Sequence, residues 1–221
     1  MSISENLKQV LSTIPPGVKL VAVSKTKPNK DIMAAYNAGH KIFGENKVQD
    51  LARKYDELPK DIEWHMIGHL QSNKVKYIAP FVDMIEAVDS MKLLKLINKE
   101  AIKNNRVINC LLQIHIAEEE EKFGFNTDEI IEILNSREFK EIRNIKICGL
   151  MGMSTFTYDE DQVKKEFFYL KKCFDKIKPE YFPNDPDFKE ISMGMSGDYK
   201  IAIEQGSTMV RIGSSIFGSR H

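Results

Sequence analysis

The feature that most constrains this chain is an alternation. Eight short, β-rich apolar runs, at residues 19–26, 41–45, 63–67, 84–87, 108–115, 145–151, 188–193 and 209–212, are separated by longer amphipathic stretches. The latter include "NKDIMAAYNAG", "NKVQDLARKYDEL", "SMKLLKLINKEAIKNN", "NTDEIIEILNS" and "DQVKKEFFYLKKCFDKI". Strand and helix periods in turn are the pattern of a parallel sheet with helical crossovers, and eight repeats favour a closed (β/α)8 TIM-type barrel over an open doubly wound sheet. Asn29, Ser90, Asn126 and Asp159 stand at or just ahead of helical runs, where capping side chains belong. Gly39 follows the first of these runs where a left-handed cap residue is wanted. The chain has 221 residues, short for a class that typically needs about 250. "IFGSRH" ends too soon after the eighth run to form a closing helix, and "SISENLKQVLSTI" has the spacing of an extra N-terminal helix that could cover the gap. No linker or repeat divides the chain, so one α/β barrel domain over residues 1–221 is expected, with irregular loops at "AEEEEKFGFN" and "KPEYFPNDPDF".

Charge narrows the partners. Thirty-two basic residues balance 32 acidic ones, so no global field attracts nucleic acid or an anionic membrane, and any anion site must be local. No apolar run approaches the roughly 18 residues of a membrane span, and "MSISENLKQVL" is too polar for a signal peptide. Cys110, Cys148 and Cys173 are odd in number and lack metal-ligand spacing, which fits reduced thiols in the cytoplasm.

In a barrel the reactive face lies where the strands end, and phosphate commonly sits in the loops after strands seven and eight. Those loops read "MGMSGDYKIAIEQG" and "MVRIGSSIFGSR". Their Gly and Ser residues let backbone N–H groups approach a phosphate and add hydroxyl donors, and "DYKIAIEQG" reads as a short helix whose N-terminus would favour an anion. Alternation puts Met209, Arg211 and Gly213 on one face of the eighth strand, with Val210 and Ile212 on the other.

In "KLVAVSKTKP", Val21, Val23 and Lys25 share a face. Lys25 therefore either follows two valines into the barrel mouth or ends an outer face in water. Lys27 shares that side only if the strand continues, which Pro28 argues against. A lysine partly desolvated beside a cation loses affinity for its proton and becomes an amine able to form a Schiff base, and Arg211 is the candidate cation.

"LVAVSKTKP", "FGENKVQ", "EWHMIGHLQSNK", "CGLMGM" and "GMSGDYKIAIEQGSTMVRIGSSIFG" together resemble the YggS/PROSC family of pyridoxal phosphate homeostasis proteins, from about residue 5 to residue 220. That family is similar to the barrel domain of alanine racemase standing alone. The resemblance implies pyridoxal 5′-phosphate (PLP) as cofactor, held on Lys25 as an aldimine. It implies phosphate contacts from Ser196, Gly213 and Ser214, the last standing where many members have threonine, and an Arg211 that faces the pyridine nitrogen. Asn46 is expected to line the pocket; His65 and Asn73 belong to a shared motif without an assigned contact. The implied function is storage, buffering or delivery of PLP in the cytoplasm with little or no catalysis. PLP-dependent apo-enzymes are candidate recipients, and a monomer is expected because no residues are left over for the racemase's second domain. An arginine at the ring nitrogen weakens the electron sink that PLP enzymes use. The alternatives are a low-activity amino-acid racemase and a PLP-free Schiff-base aldolase.

Other features read as structure. His65 and His69 are four apart, but the acid of a zinc-protease helix is missing and the segment reads as strand running into loop. "EEEEK" at 118–122 reads as a solvated loop, and "VKKEFFYLKKCFDKIK" as an amphipathic helix with phenylalanines inward. Cys148, Met151 and Met153 are expected in barrel packing.

Overall fold

The structure, a computed structural model, describes residues 2–119 and 123–218. Residues 120–122 of the acidic "EEEEK" run and the last three of "IFGSRH" lie outside them. Eight parallel strands close in sequence order: β1 (Lys19–Val23), β2 (Ile42–Glu45), β3 (Glu63–Met66), β4 (Met84–Val88), β5 (Ile108–Gln113), β6 (Ile145–Met151), β7 (Glu190–Met195) and β8 (Met209–Ile212). The seam pairs β8 with β1, Val21 standing opposite Arg211.

The helices are α1 (Ile3–Ser12), α2 (Asn29–Asn37), α3 (Val48–Glu57), α4 (Val75–Ile78), α5 (Met91–Lys103), α6 (Thr127–Asn135), α7 (Arg137–Lys140), α8 (Glu160–Tyr181), α9 (Tyr199–Glu204) and α10 (Ser214–Phe217). Ser90, Asn126 and Asp159 cap α5, α6 and α8 through their side chains, Asn126 in a full capping box. Asn29 instead is the first helical residue of α2, and its amide donates to Glu57 (2.6 Å). Among the described residues only the short α10 follows β8; α1 packs on it, Asn6 donates to Ile216 O (3.0 Å), and Leu7 and Val10 are buried. The N-terminal helix thus covers the place of a full closing helix.

Alternation sorts the strand residues into two layers. Leu20, Ala22, Phe43, Trp64, Val210 and Ile212 pack outwards among the helices in the main core. Val21, Met84, Leu111, Cys148, Met151 and Met209 fill the barrel's interior, the packed centre expected of this architecture. The helix α8 runs on to Tyr181 through Pro179, past its expected end; a proline this near the last turn interrupts little of the ladder. Its Phe167 and Phe174 are buried as expected, whereas Phe168 is half exposed.

Candidate functional site

The end of β1 differs from its prediction in a way that places Lys25. The strand stops at Val23, although Ser24 N–H still donates to Gly44 O on β2 (3.0 Å). Lys25 and Thr26 then turn, with Thr26 at φ 67°, and Lys27 N–H returns to Ser24 O (3.0 Å). Ser24 faces the helix layer: its hydroxyl donates to Glu45 Oε1 (2.9 Å). Lys54 of α3 donates to the same carboxylate and to Ser24 O (2.8 Å), and all three side chains are buried. Half-buried Lys25 thus lies in the turn just beyond the last residue of β1, at the end of the barrel where the strands finish. Lys27 goes elsewhere, donating to Phe217 O (2.9 Å) and Gly218 O (3.2 Å).

The loops after β7 and β8 meet beside it. Gly213 N–H donates to Ser196 Oγ (3.1 Å). A Cβ on Gly213 would stand 3.2 Å from Val23 O, so glycine lets the end of β8 lie tight against β1. Ser214, exposed, opens α10. The stretch expected to be a short helix is α9, and its N-cap is Asp198, whose carboxylate makes no cap bond to the helix and accepts instead from Met195 N–H (2.5 Å) and Ser154 Oγ (2.9 Å). Asn46 follows β2, half-buried, with Gly68 so close that a Cβ there would be 2.6 Å from Asn46 O. Asn73 is exposed in a short 3-10 turn, Ser72–Lys74.

Below this rim the interior is polar. Arg211, 3 % exposed, donates from Nη1 to Ser192 Oγ (2.6 Å) and from Nη2 to Gly152 O (3.0 Å). Glu86 of β4 lies 3.7 Å from Nη1 and accepts from Ser192 Oγ through Oε2 (2.6 Å). Its other oxygen meets His65 Nδ1 at 2.7 Å. Burial alone would raise the Glu86 pKa, but His65, then Arg211 and Ser192, outweigh it and hold the carboxyl below its usual range. Burial likewise lowers the pKa of Arg211, against the pull of Glu86 and Asp198. An ionised carboxylate only accepts, so His65 carries its proton on Nδ1. His69 turns to another acid, Asp89 (2.9 Å), and stacks on Phe123 with ring centres 3.8 Å apart. The two histidines therefore serve separate carboxylates.

The alanine racemase N-terminal domain model matches residues 1–221. A pyridoxal phosphate homeostasis protein of Aquifex aeolicus is 37 % identical, with 100 % of this chain and 99 % of the relative covered. The chain belongs to the pyridoxal phosphate homeostasis family. A Helicobacter pylori member is 39 % identical over 90 % of this chain and 87 % of its own length. Among solved structures, PipY of Synechococcus elongatus without PLP superposes with a TM-score of 0.91 at 31 % identity, covering 98 % of this chain and all of PipY; its PLP-bound form gives 0.88. Alanine racemase of Bartonella henselae shares the fold, with a TM-score of 0.75 at 14 % identity, over 98 % of this chain and 58 % of the racemase.

For this family member, the sequence reading nominated Lys25, Asn46, Ser196, Arg211, Gly213 and Ser214; it did not single out Glu86 or Ser192, which hydrogen-bond around Arg211, and left His65 without a partner. A signal was present. Glu86 and His65 are ionisable residues inside otherwise apolar strands, and Ser192 shares its strand face with Glu190.

Proposed function

We propose that this protein binds PLP at the barrel mouth and serves in its homeostasis, as a store, buffer or carrier with little or no turnover. The reading is supported by Gly213, which donates to Ser196 Oγ and packs on Val23 two residues before half-buried Lys25, and by the buried Arg211 on the same strand β8, in a chain 31 % identical to PipY, one of whose structures has PLP bound.

These residues fit the group. Lys25 Nζ would attack the cofactor's aldehyde carbon, form the C=N bond and release the carbonyl oxygen as water. Ser196, Gly213 and Ser214 would hold the phosphate with hydroxyl and backbone N–H donors, and Asn46 would line the pocket beside them. Described residues engage two of Arg211's five N–H bonds, leaving donors for the pyridine nitrogen. PLP supplies an aldehyde and an electron sink when bound. A guanidinium cannot accept a hydrogen bond, so Arg211 would keep the ring nitrogen unprotonated and that sink weak. Retention is favoured over turnover. Among the described residues no helix is long and apolar enough to cross a membrane, and the three cysteines are buried free thiols; we place the protein in the cytoplasm, as a single barrel unit acting as a monomer, with PLP-dependent apo-enzymes as recipients.

The test is to add PLP, record the visible absorbance, reduce with borohydride and map the labelled peptide by mass. A protonated-imine band with the label on Lys25 is expected. Absence of the band, or label scattered over surface lysines, overturns the reading. Multiple-turnover racemase or decarboxylase activity that vanishes in Lys25→Ala would replace the carrier with an enzyme.

A further inference from the structure

Two hydrogen bonds of the interior polar group end on one residue, Glu86. His65 Nδ1 and Ser192 Oγ both donate to Glu86, and Ser192 Oγ in turn accepts from Arg211 Nη1. The serine hydroxyl has a single proton, and Glu86 takes it, so the oxygen is left to receive the guanidinium. Gly152 O anchors the second nitrogen. Arg211 is thus held from two sides by a chain whose terminus is the Glu86 carboxylate, 0 % exposed and 3.7 Å away.

We infer that Glu86 is a positioning residue of the PLP site: acting through Ser192, it aims Arg211 at the pyridine ring and cancels the charge that Arg211 would otherwise impose on the Lys25 imine. This rests on the function proposed above. The guanidinium alone would bring a full positive charge into the upper barrel, opposing protonation of the imine on Lys25. The Glu86–Arg211 pair instead gives the ring a donor from a group with little net charge. The other charged or titratable groups acting on the pair are His65 on β3, towards Glu86, and Asp198 ahead of α9, towards Arg211; Cys148 on β6 sits instead with Lys146, Asp187, Glu190 and Lys19 where the strands begin. Burial pushes the Cys148 thiol up to about 11, so it stays neutral over the working range.

The experiment titrates the visible band of PLP-loaded protein against pH in wild type, Glu86→Gln and Glu86→Asp. Removing the carboxylate charge leaves Arg211 uncompensated, and the pH at which the protonated-imine band is lost should fall by on the order of one unit. Glu86→Asp keeps the charge and should titrate with wild type. A residue that merely braced the fold would lower the unfolding midpoint of Glu86→Gln without moving the band's titration, and that result overturns the inference. Should Glu86→Gln fail to fold, Ser192→Ala decides: it keeps both charges but cuts the link, and should release PLP several-fold faster to an excess of apo-enzyme. Release at the wild-type rate overturns the inference. If wild type loads PLP on Lys25 and the variants do not differ from it, only the role of Glu86 falls. If wild type does not load, the proposed function falls first.

Discussion

Two buried acid–base pairs stand near the same end of the barrel and do different work. Outside the sheet, Glu45 and Lys54 are 0 % and 2 % exposed; inside, Glu86 and Arg211 are 0 % and 3 %. The outer pair grips a single residue: Lys54 holds Ser24 O, the carbonyl next to Lys25, and Glu45 accepts from the Ser24 hydroxyl, while the other Glu45 oxygen is buried with no hydrogen-bond partner. The inner pair reaches across the barrel to His65, Ser192 and the Gly152 carbonyl. Both Glu86 oxygens are engaged, and Arg211 keeps donors to spare. A buried pair adds little net stability over apolar packing, but breaking one is expensive because a lone charge stays behind. Difference in use, then, lies in the atoms left over: the outer pair fixes a strand end, and the inner one holds the Arg211 guanidinium in direction with donors unspent.

The largest effect expected from breaking this comparison is on the outer side. Lys54→Ala strands Glu45 and should cost about 3–5 kcal/mol in urea unfolding, with much of it recovered when Glu45→Gln is added. Loss without recovery would mean that Lys54 acts through packing alone. Inside, Glu86→Gln should cost about 3 kcal/mol near neutral pH, and the cost should shrink in acid. The carboxyl pKa is lowered in the folded chain, so its stabilisation is present above the ordinary carboxylate pKa and is lost as pH falls through the lowered value. Urea midpoints of wild type and variant should converge as pH drops; a constant gap would assign the loss to shape.

A third measurement separates the polar mouth from the apolar interior below it. Cys148 packs there with Val21, Leu111 and Met209, and burial pushes its pKa from 9.0 to about 11, about 100-fold less thiolate at neutral pH. Thiol reagents should leave the native chain unlabelled while Lys25 exchanges PLP freely; rapid Cys148 labelling would mean the interior opens. The smallest effect is a control remote from both pairs. Asn126→Ala removes the capping box of α6 and should cost about 1 kcal/mol without altering PLP absorbance.

The fold was legible because strand and helix periods are local, and so was which strand residues share a face; that Val21 lies inside and Leu20 outside took the packing of the closed barrel to settle. Partnership across the barrel was not. Glu86 meets Ser192 and Arg211 from the far side, and shifts of register near Val88 and Met195 separate alternation in sequence from position in space. The start of α9 was legible too, but not that Asp198 turns its carboxylate onto Met195 and Ser154. The overlong β1 reflects a turn that only Thr26's positive φ reveals.

The seam between β8 and β1, with Arg211 beside Val21 and Gly213 against Val23, imposes an order in time. Synthesis runs at about 5–20 residues per second, so Lys25 is added to the chain roughly ten to forty seconds before Arg211. Until the last strand docks on the first, Lys25 stands without the β8 end that the seam sets against Val23. On the function proposed above, occupancy by the cofactor becomes a record that the ring has closed.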